Sequence, residues 1–231
     1  KFVSCKQLNL LPFDSLKNFS PALSNIWIKI CGITREEDAA SAVMLGASAI
    51  GLVFFAGSAR GVTAEDVLTI LPNQLTGTKV FGLFVNPSAE DVRVVLATAR
   101  IDCLQFHGEE SEAFCASFNK PYMKAFRVKA DASLESEIQE YSSADLILLD
   151  TYDEKVPGGT GKSFDWTLAE SIRRDSDIRL VLAGGLNPSN VSTAVQRLHP
   201  FGIDVSSGVE SAPRLKDFNK MKKFIEGARS V

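Results

Sequence analysis

A cysteine closes the apolar part of IKICGIT, residues 28–34. The β-branched run ends at Cys31 and the chain turns at Gly32, so the thiol belongs at the end of a strand, where it can face a cavity. As a thiolate it accepts a proton, provided nearby positive charge favours the ionised form. A second candidate closes LILLD. Asp150 follows four apolar residues, and a carboxyl group so placed is partly desolvated, which raises its proton affinity and suits a general acid. Arg60 stands in the loop GSARGVT, and a guanidinium fork grips a carboxylate through paired hydrogen bonds. His107 follows LQF and either lines the same pocket or bridges loops. Two turns of small residues complete the set: AGGLNPSN, with Gly184 and Gly185, and DVSSGVE, with Asp204, Ser206, Ser207 and Gly208. Small side chains let backbone N–H groups approach an anion closely.

Each residue also has a plainer reading. Buried cysteine is usually an inert small hydrophobe. Asp150 could cap a helix, Arg60 could be a solvated loop charge, and the glycine pair could make only a tight turn. Asp204 reads as ordering its turn rather than reacting. Cys5, Cys103 and Cys115 fall in the N-terminal tail, a strand and a helix, and read as structural, as does His199 near a helix end. Lys29 is expected to point away from the mouth that Cys31 faces.

The elements that must position these groups follow a rhythm from Ile26 onward. Apolar runs of four to seven residues alternate with amphipathic stretches of about 8 to 12. The runs are IWIKIC, SAIGLVFF, KVFGLFV, DCLQF, YMKAF, LILLD, IRLVLAG and GIDVSSG. Helical patterns cover 36–45, 64–71, 88–99, 111–118, 134–141, 166–172, 188–198 and 216–227. Thr34 with Glu37 reads as a capping box for the first helix, and NPSAED and NPSN mark two later starts. Near-continuous apolar strands imply burial on both faces. No G-x-G-x-x-G turn follows the first strand, which disfavours a doubly wound sheet. The expectation is a single α/β domain, an eight-fold (β/α)8 TIM barrel over 26–231, with residues 1–25 as an extension or linker. In such barrels chemistry sits at the carboxyl ends of the strands, and phosphate is often held by the loops after strands 7 and 8. PGGTGKSFDW after Asp150 reads as a mobile lid; it lacks P-loop spacing.

The 231 residues carry a net charge of −3, so no basic field is available for nucleic acid. No apolar run approaches the roughly 18 residues of a membrane span, residues 1–27 lack the pattern of a secretory signal, and four scattered cysteines without a C-x-x-C pair argue against a zinc site. A reduced, cytoplasmic setting is expected.

Taken together, KICGITREEDA (29–39), GLVFFAGSARGVT (51–63), GLFVN (82–86), LQFHGEES (104–111), LLDTYDEKVPGGTGKSFDW (148–166), LAGGLNPSNV (182–191) and DVSSGVE (204–210) resemble phosphoribosylanthranilate isomerases of tryptophan biosynthesis. The resemblance covers roughly residues 28–226. It implies an Amadori rearrangement of N-(5-phosphoribosyl)anthranilate to 1-(2-carboxyphenylamino)-1-deoxyribulose 5-phosphate, with no metal or organic cofactor. It assigns Asp150 as general acid, Cys31 as general base, Arg60 as the group holding the anthranilate carboxylate, and the 184–185 and 206–208 turns as the phosphate site. Ala59 and Gly61 depart from the family pattern of Pro before the arginine and a bulky residue after it, which predicts a more mobile arginine loop. Monomer and homodimer stay open, and a fusion to indole-glycerol-phosphate synthase would account for residues 1–25. The rivals are that synthase, which would need catalytic lysines at strand ends, a histidine-pathway isomerase, which would use Asp in place of Cys31, and a non-catalytic phospholigand-binding barrel.

Overall fold

The computed structural model describes residues 26–71, 75, 77–128, 134–150 and 178–231. The expected extension over 1–25, the expected lid and the helix expected over 166–172 lie outside them. The eight apolar runs form eight parallel strands: β1 Trp27–Cys31, β2 Ala49–Val53, β3 Lys79–Phe84, β4 Cys103–Phe106, β5 Tyr122–Arg127, β6 Leu146–Asp150, β7 Leu180–Ala183 and β8 Gly202–Val205. Each pairs with its neighbour in sequence, and β8 pairs back onto β1 (Lys29 beside Asp204), which closes the barrel.

Alternation along each strand sorts the core into two regions. Outward residues such as Ile28, Ile30, Ile50, Leu104 and Leu149 pack under the helices. Inward residues, among them Trp27, Phe81, Cys103, Met123, Leu146, Leu148 and Val181, fill the barrel. Trp27 meets Phe81 edge-on at 5.5 Å between ring centroids. Above that apolar layer the interior turns polar, with Lys29, Gln105 and Asp204 buried.

Among the described residues the helices are α1 Glu36–Met44, α2 Val67–Ile70, α3 Ala89–Thr98, α4 Glu112–Ala116, α5 Leu134–Glu140, α6 Val191–Leu198 and α7 Phe218–Arg229. The NPSAED signal behaves as expected: Ser88 and Asp91 form a reciprocal capping box at α3. The Thr34–Glu37 box does not form. Arg35 is the N-cap of α1 and makes no side-chain cap bond. Thr34 Oγ1 donates instead to the carbonyl of Arg214, 2.8 Å away. A long-range bond thus replaces the local one.

A short antiparallel hairpin, β9 Glu210–Ala212 and β10 Leu215–Lys216, lies between β8 and α7, where sequence periodicity suggested only a loop and the start of a helix.

Candidate active site

Cys31 ends β1 and faces inward. It lies in the uppermost interior layer beside Val53, Leu83 and Val85, only 5% exposed. Gly51, its neighbour on β2, leaves the room: a methyl group there would sit 2.8 Å from Cys31 Sγ and 3.1 Å from Lys29 Nζ. The surroundings are not purely aliphatic. Lys29, expected on the far side of β1, shares the interior face with Cys31, because residues two apart on a strand point the same way. Its ammonium is fully buried, 3.0 Å from Asp204 Oδ1, and 5.7 Å from the Phe81 ring centroid. Asp204 is therefore engaged inside the barrel through Lys29, below the turn it was expected to order. Burial pushes the Cys31 thiol up, Lys29 opposes that rise, and Asp204 adds to it. Lys29 itself is held cationic, since Asp204 and the sulfur outweigh the cost of its burial.

Asp150 ends β6 in register with Leu146 and Leu148, both interior, and its side chain is 21% exposed. His107 reaches it from the end of β4, with Nε2 3.2 Å from Asp150 Oδ2. The other ring nitrogen lies 3.4 Å from Gln105 Nε2. His107 thus links the ends of β4 and β6 at the barrel mouth. Its loop is fixed from behind. Glu110, buried and paired with Lys124 at 2.8 Å, accepts from the backbone N–H of Asn86 and Gly108 at 2.7 and 2.9 Å.

Arg60 is positioned by residues not singled out in the sequence. Its Nε and Nη2 donate to Glu210 at 2.7 and 2.6 Å. Glu210, nearly buried, also accepts from Lys216 Nζ at 2.9 Å, and that ammonium donates to the Ser206 carbonyl at 3.1 Å. Burial alone would raise Glu210; Arg60 and Lys216 outweigh it and hold the carboxyl below its ordinary range. The fork that faces Glu210 leaves the Nη1 edge of the guanidinium for a second carboxylate. The arginine loop, expected to be loosely held for want of the family's flanking residues, is clasped instead. Arg214, from the β9–β10 turn, donates to the carbonyls of Ala59 and Gly61, both at 3.0 Å.

The two small-residue turns abut. Gly184 and Gly185 adopt φ of +85° and +62°, which favours glycine. A Cβ on Gly208 would lie 1.9 Å from the Leu186 carbonyl oxygen, so the Ser206–Gly208 turn can approach the Gly184–Gly185 turn only with glycine at 208. Gly185 O accepts from Asn187 Nδ2 and Asn190 Nδ2. Cys31, Asp150, Arg60, His107 and both turns therefore come together at the carboxyl end of one barrel. A groove of about 490 Å3 at the amino end, between Ile26, Val195, His199 and Phe201, gathers no comparable set. Cys103 and Cys115 are buried, as expected of structural residues.

Comparison with known proteins matches residues 28–227 to the model of the N-(5'-phosphoribosyl)anthranilate (PRA) isomerase family. The chain belongs to this family. A relative named N-(5'-phosphoribosyl)anthranilate isomerase, from Pseudomonas fluorescens (strain Pf0-1), is 45% identical over 207 residues, which is 90% of this chain and all of that protein. Phosphoribosyl anthranilate isomerase from Thermotoga maritima superposes with a TM-score of 0.80 at 38% identity, covering 89% of this chain and all of that one. A further crystal structure of a phosphoribosyl anthranilate isomerase holds reduced 1-(o-carboxyphenylamino)-1-deoxyribulose 5-phosphate. It superposes with a TM-score of 0.78 at 36% identity, over 89% of this chain and 100% of that one. The protein is thus a TIM-barrel isomerase of tryptophan biosynthesis acting on a phosphorylated small molecule.

The family match also removes the rival barrels. A Lys29 facing outward would argue against an indole-glycerol-phosphate synthase, but Lys29 faces inward with Cys31, so that argument fails. What stands in its place is the match over nearly the whole barrel and the pairing of Lys29 with Asp204 beneath the mouth.

Proposed function

We propose that this isomerase converts N-(5-phosphoribosyl)anthranilate by an acid–base Amadori rearrangement in which Asp150 is the acid and Cys31 the base. Asp150 protonates the ribose ring oxygen, the ring opens, and the anthranilate nitrogen becomes an iminium ion. That cation withdraws electrons from the adjacent C2–H bond. The Cys31 thiolate then takes the C2 proton, and the resulting enolamine tautomerises to the ketone of 1-(2-carboxyphenylamino)-1-deoxyribulose 5-phosphate. An iminium beside the sulfur also favours the thiolate, by placing positive charge next to a group that burial otherwise keeps protonated.

The other residues bind and orient. The Ser206–Gly208 and Gly184–Gly185 turns take the phosphate, and Arg60 offers its Nη1 edge to the anthranilate carboxylate. His107 holds the Asp150 carboxyl at the angle from which it meets the ring oxygen. The observation that carries the proposal is that Cys31 and Asp150 occupy the last interior positions of β1 and β6 in one closed barrel.

Fluorescence of the anthranilate group follows turnover directly. Cys31→Ser and Asp150→Asn are each expected to lower turnover by roughly 10²–10⁴-fold, the usual contribution of one general acid or base, while product still binds. Near-normal turnover in either variant removes the role given to that residue.

A further inference from the structure

Lys29 is a fully buried cation that the rearrangement does not consume. It lies one interior position below Cys31 on β1, and Asp204 on β8 engages it at 3.0 Å. A methyl group on Gly51 would touch both its Nζ and the Cys31 sulfur, so the two lie side by side around the same glycine. A barrel interior needs no ion pair to pack. Replacing a buried pair by well-packed apolar residues is often neutral or stabilising, so packing gives no reason for the lysine. Its position under the thiol does.

We propose that Lys29 is a positioning residue for the Cys31 thiolate: clamped by Asp204, its ammonium supplies the positive charge against which the sulfur releases its proton. This rests on the reading of Cys31 as the base and adds the group that makes it one. The thiol proton passes to solvent, and Lys29 stays protonated throughout, held so by Asp204. The charged groups acting on the sulfur are Lys29 from β1, Asp204 from β8, Lys216 from β10 and Arg60 from the loop after β2. The β2 and β3 neighbours, Gly51, Val53 and Leu83, supply none. Lys216 and Arg60 are both committed to Glu210, and of the three cations Lys29 acts on the sulfur most strongly.

The test is the rate of Cys31 alkylation by iodoacetamide in the full-length protein without substrate, measured by peptide mass mapping across pH. Losing a neighbouring charge moves a thiol by roughly 1–3 pH units. Higher intrinsic nucleophilicity offsets about half of that, so Lys29→Met is expected to alkylate roughly 3- to 30-fold more slowly at fixed pH. A role confined to packing predicts the reverse, because a loosened barrel exposes the sulfur. Should Lys29→Met fail to fold around an uncompensated Asp204, Lys29→Met/Asp204→Leu removes the pair together and is expected to slow alkylation in the same direction by a smaller factor. Unchanged or faster alkylation in a folded variant overturns the proposal. Turnover of Cys31→Ser is a separate outcome: if it stays near normal while Lys29→Met slows alkylation, the base assignment fails and the role of Lys29 stands.

Discussion

Cys31, Asp150 and Arg60 were legible in the sequence because each breaks its local pattern. A thiol ends a β-branched run, an acid ends four apolar residues, and an arginine stands among small loop residues. The groups that tune them were harder to read. Lys29 lies inside a strand, and its orientation follows only once Cys31 is taken as inward-facing; alternation then puts both on one face. Glu210 reads as the tail of a serine–glycine turn until the fold brings it, 150 residues on, to the guanidinium of Arg60. At this scale the expected effect is on binding. Arg60→Ala should raise KM by roughly tenfold to a hundredfold, the loss of charge-assisted hydrogen bonds, with a much smaller change in kcat. Steady-state kinetics on the anthranilate substrate decide this, and an unchanged KM counts against the assignment.

Eight strands were readable as elements because parallel strands buried on both faces are continuous apolar runs, and α3 because its capping box is local. The hairpin β9–β10 was not, since its strands are three and two residues long, too short for any period to show. Yet it does much of the positioning. Arg214 at its turn clasps the Arg60 loop and accepts from Thr34, while Glu210 and Lys216 on its strands join Arg60 to the Ser206 turn. Glu210→Gln should therefore loosen an element rather than one contact. At neutral pH it leaves Lys216 buried without its anion, at a cost of roughly 3 kcal/mol. Glu210 has a folded proton affinity below its ordinary value near 4.5. Its contribution is accordingly full above that value and is lost as pH falls through the lower folded one. Urea unfolding of the two proteins is expected to differ clearly at pH 7 and to converge in acid. A constant difference across that range contradicts the ion-pair account.

Only the whole molecule brings the proposed acid and base together. Cys31 and Asp150 are 119 residues apart in sequence, and no local signal relates them. The relation comes from the closure of β8 onto β1, which turns eight separate strand ends into one rim. The sequence rhythm predicted that closure through its count of strands. It could not place the Lys29–Asp204 pair, because that pair arises from where the closed barrel brings distant residues into contact. The division of labour across the rim can be tested with substrate deuterated at C2. Cys31→Ser should be slow and show a full primary isotope effect, because proton removal then limits turnover. Asp150→Asn should be slow with little isotope effect, because ring opening then limits it. The reverse assignment of isotope effects, or near wild-type turnover in Cys31→Ser, contradicts a base on β1 facing an acid on β6.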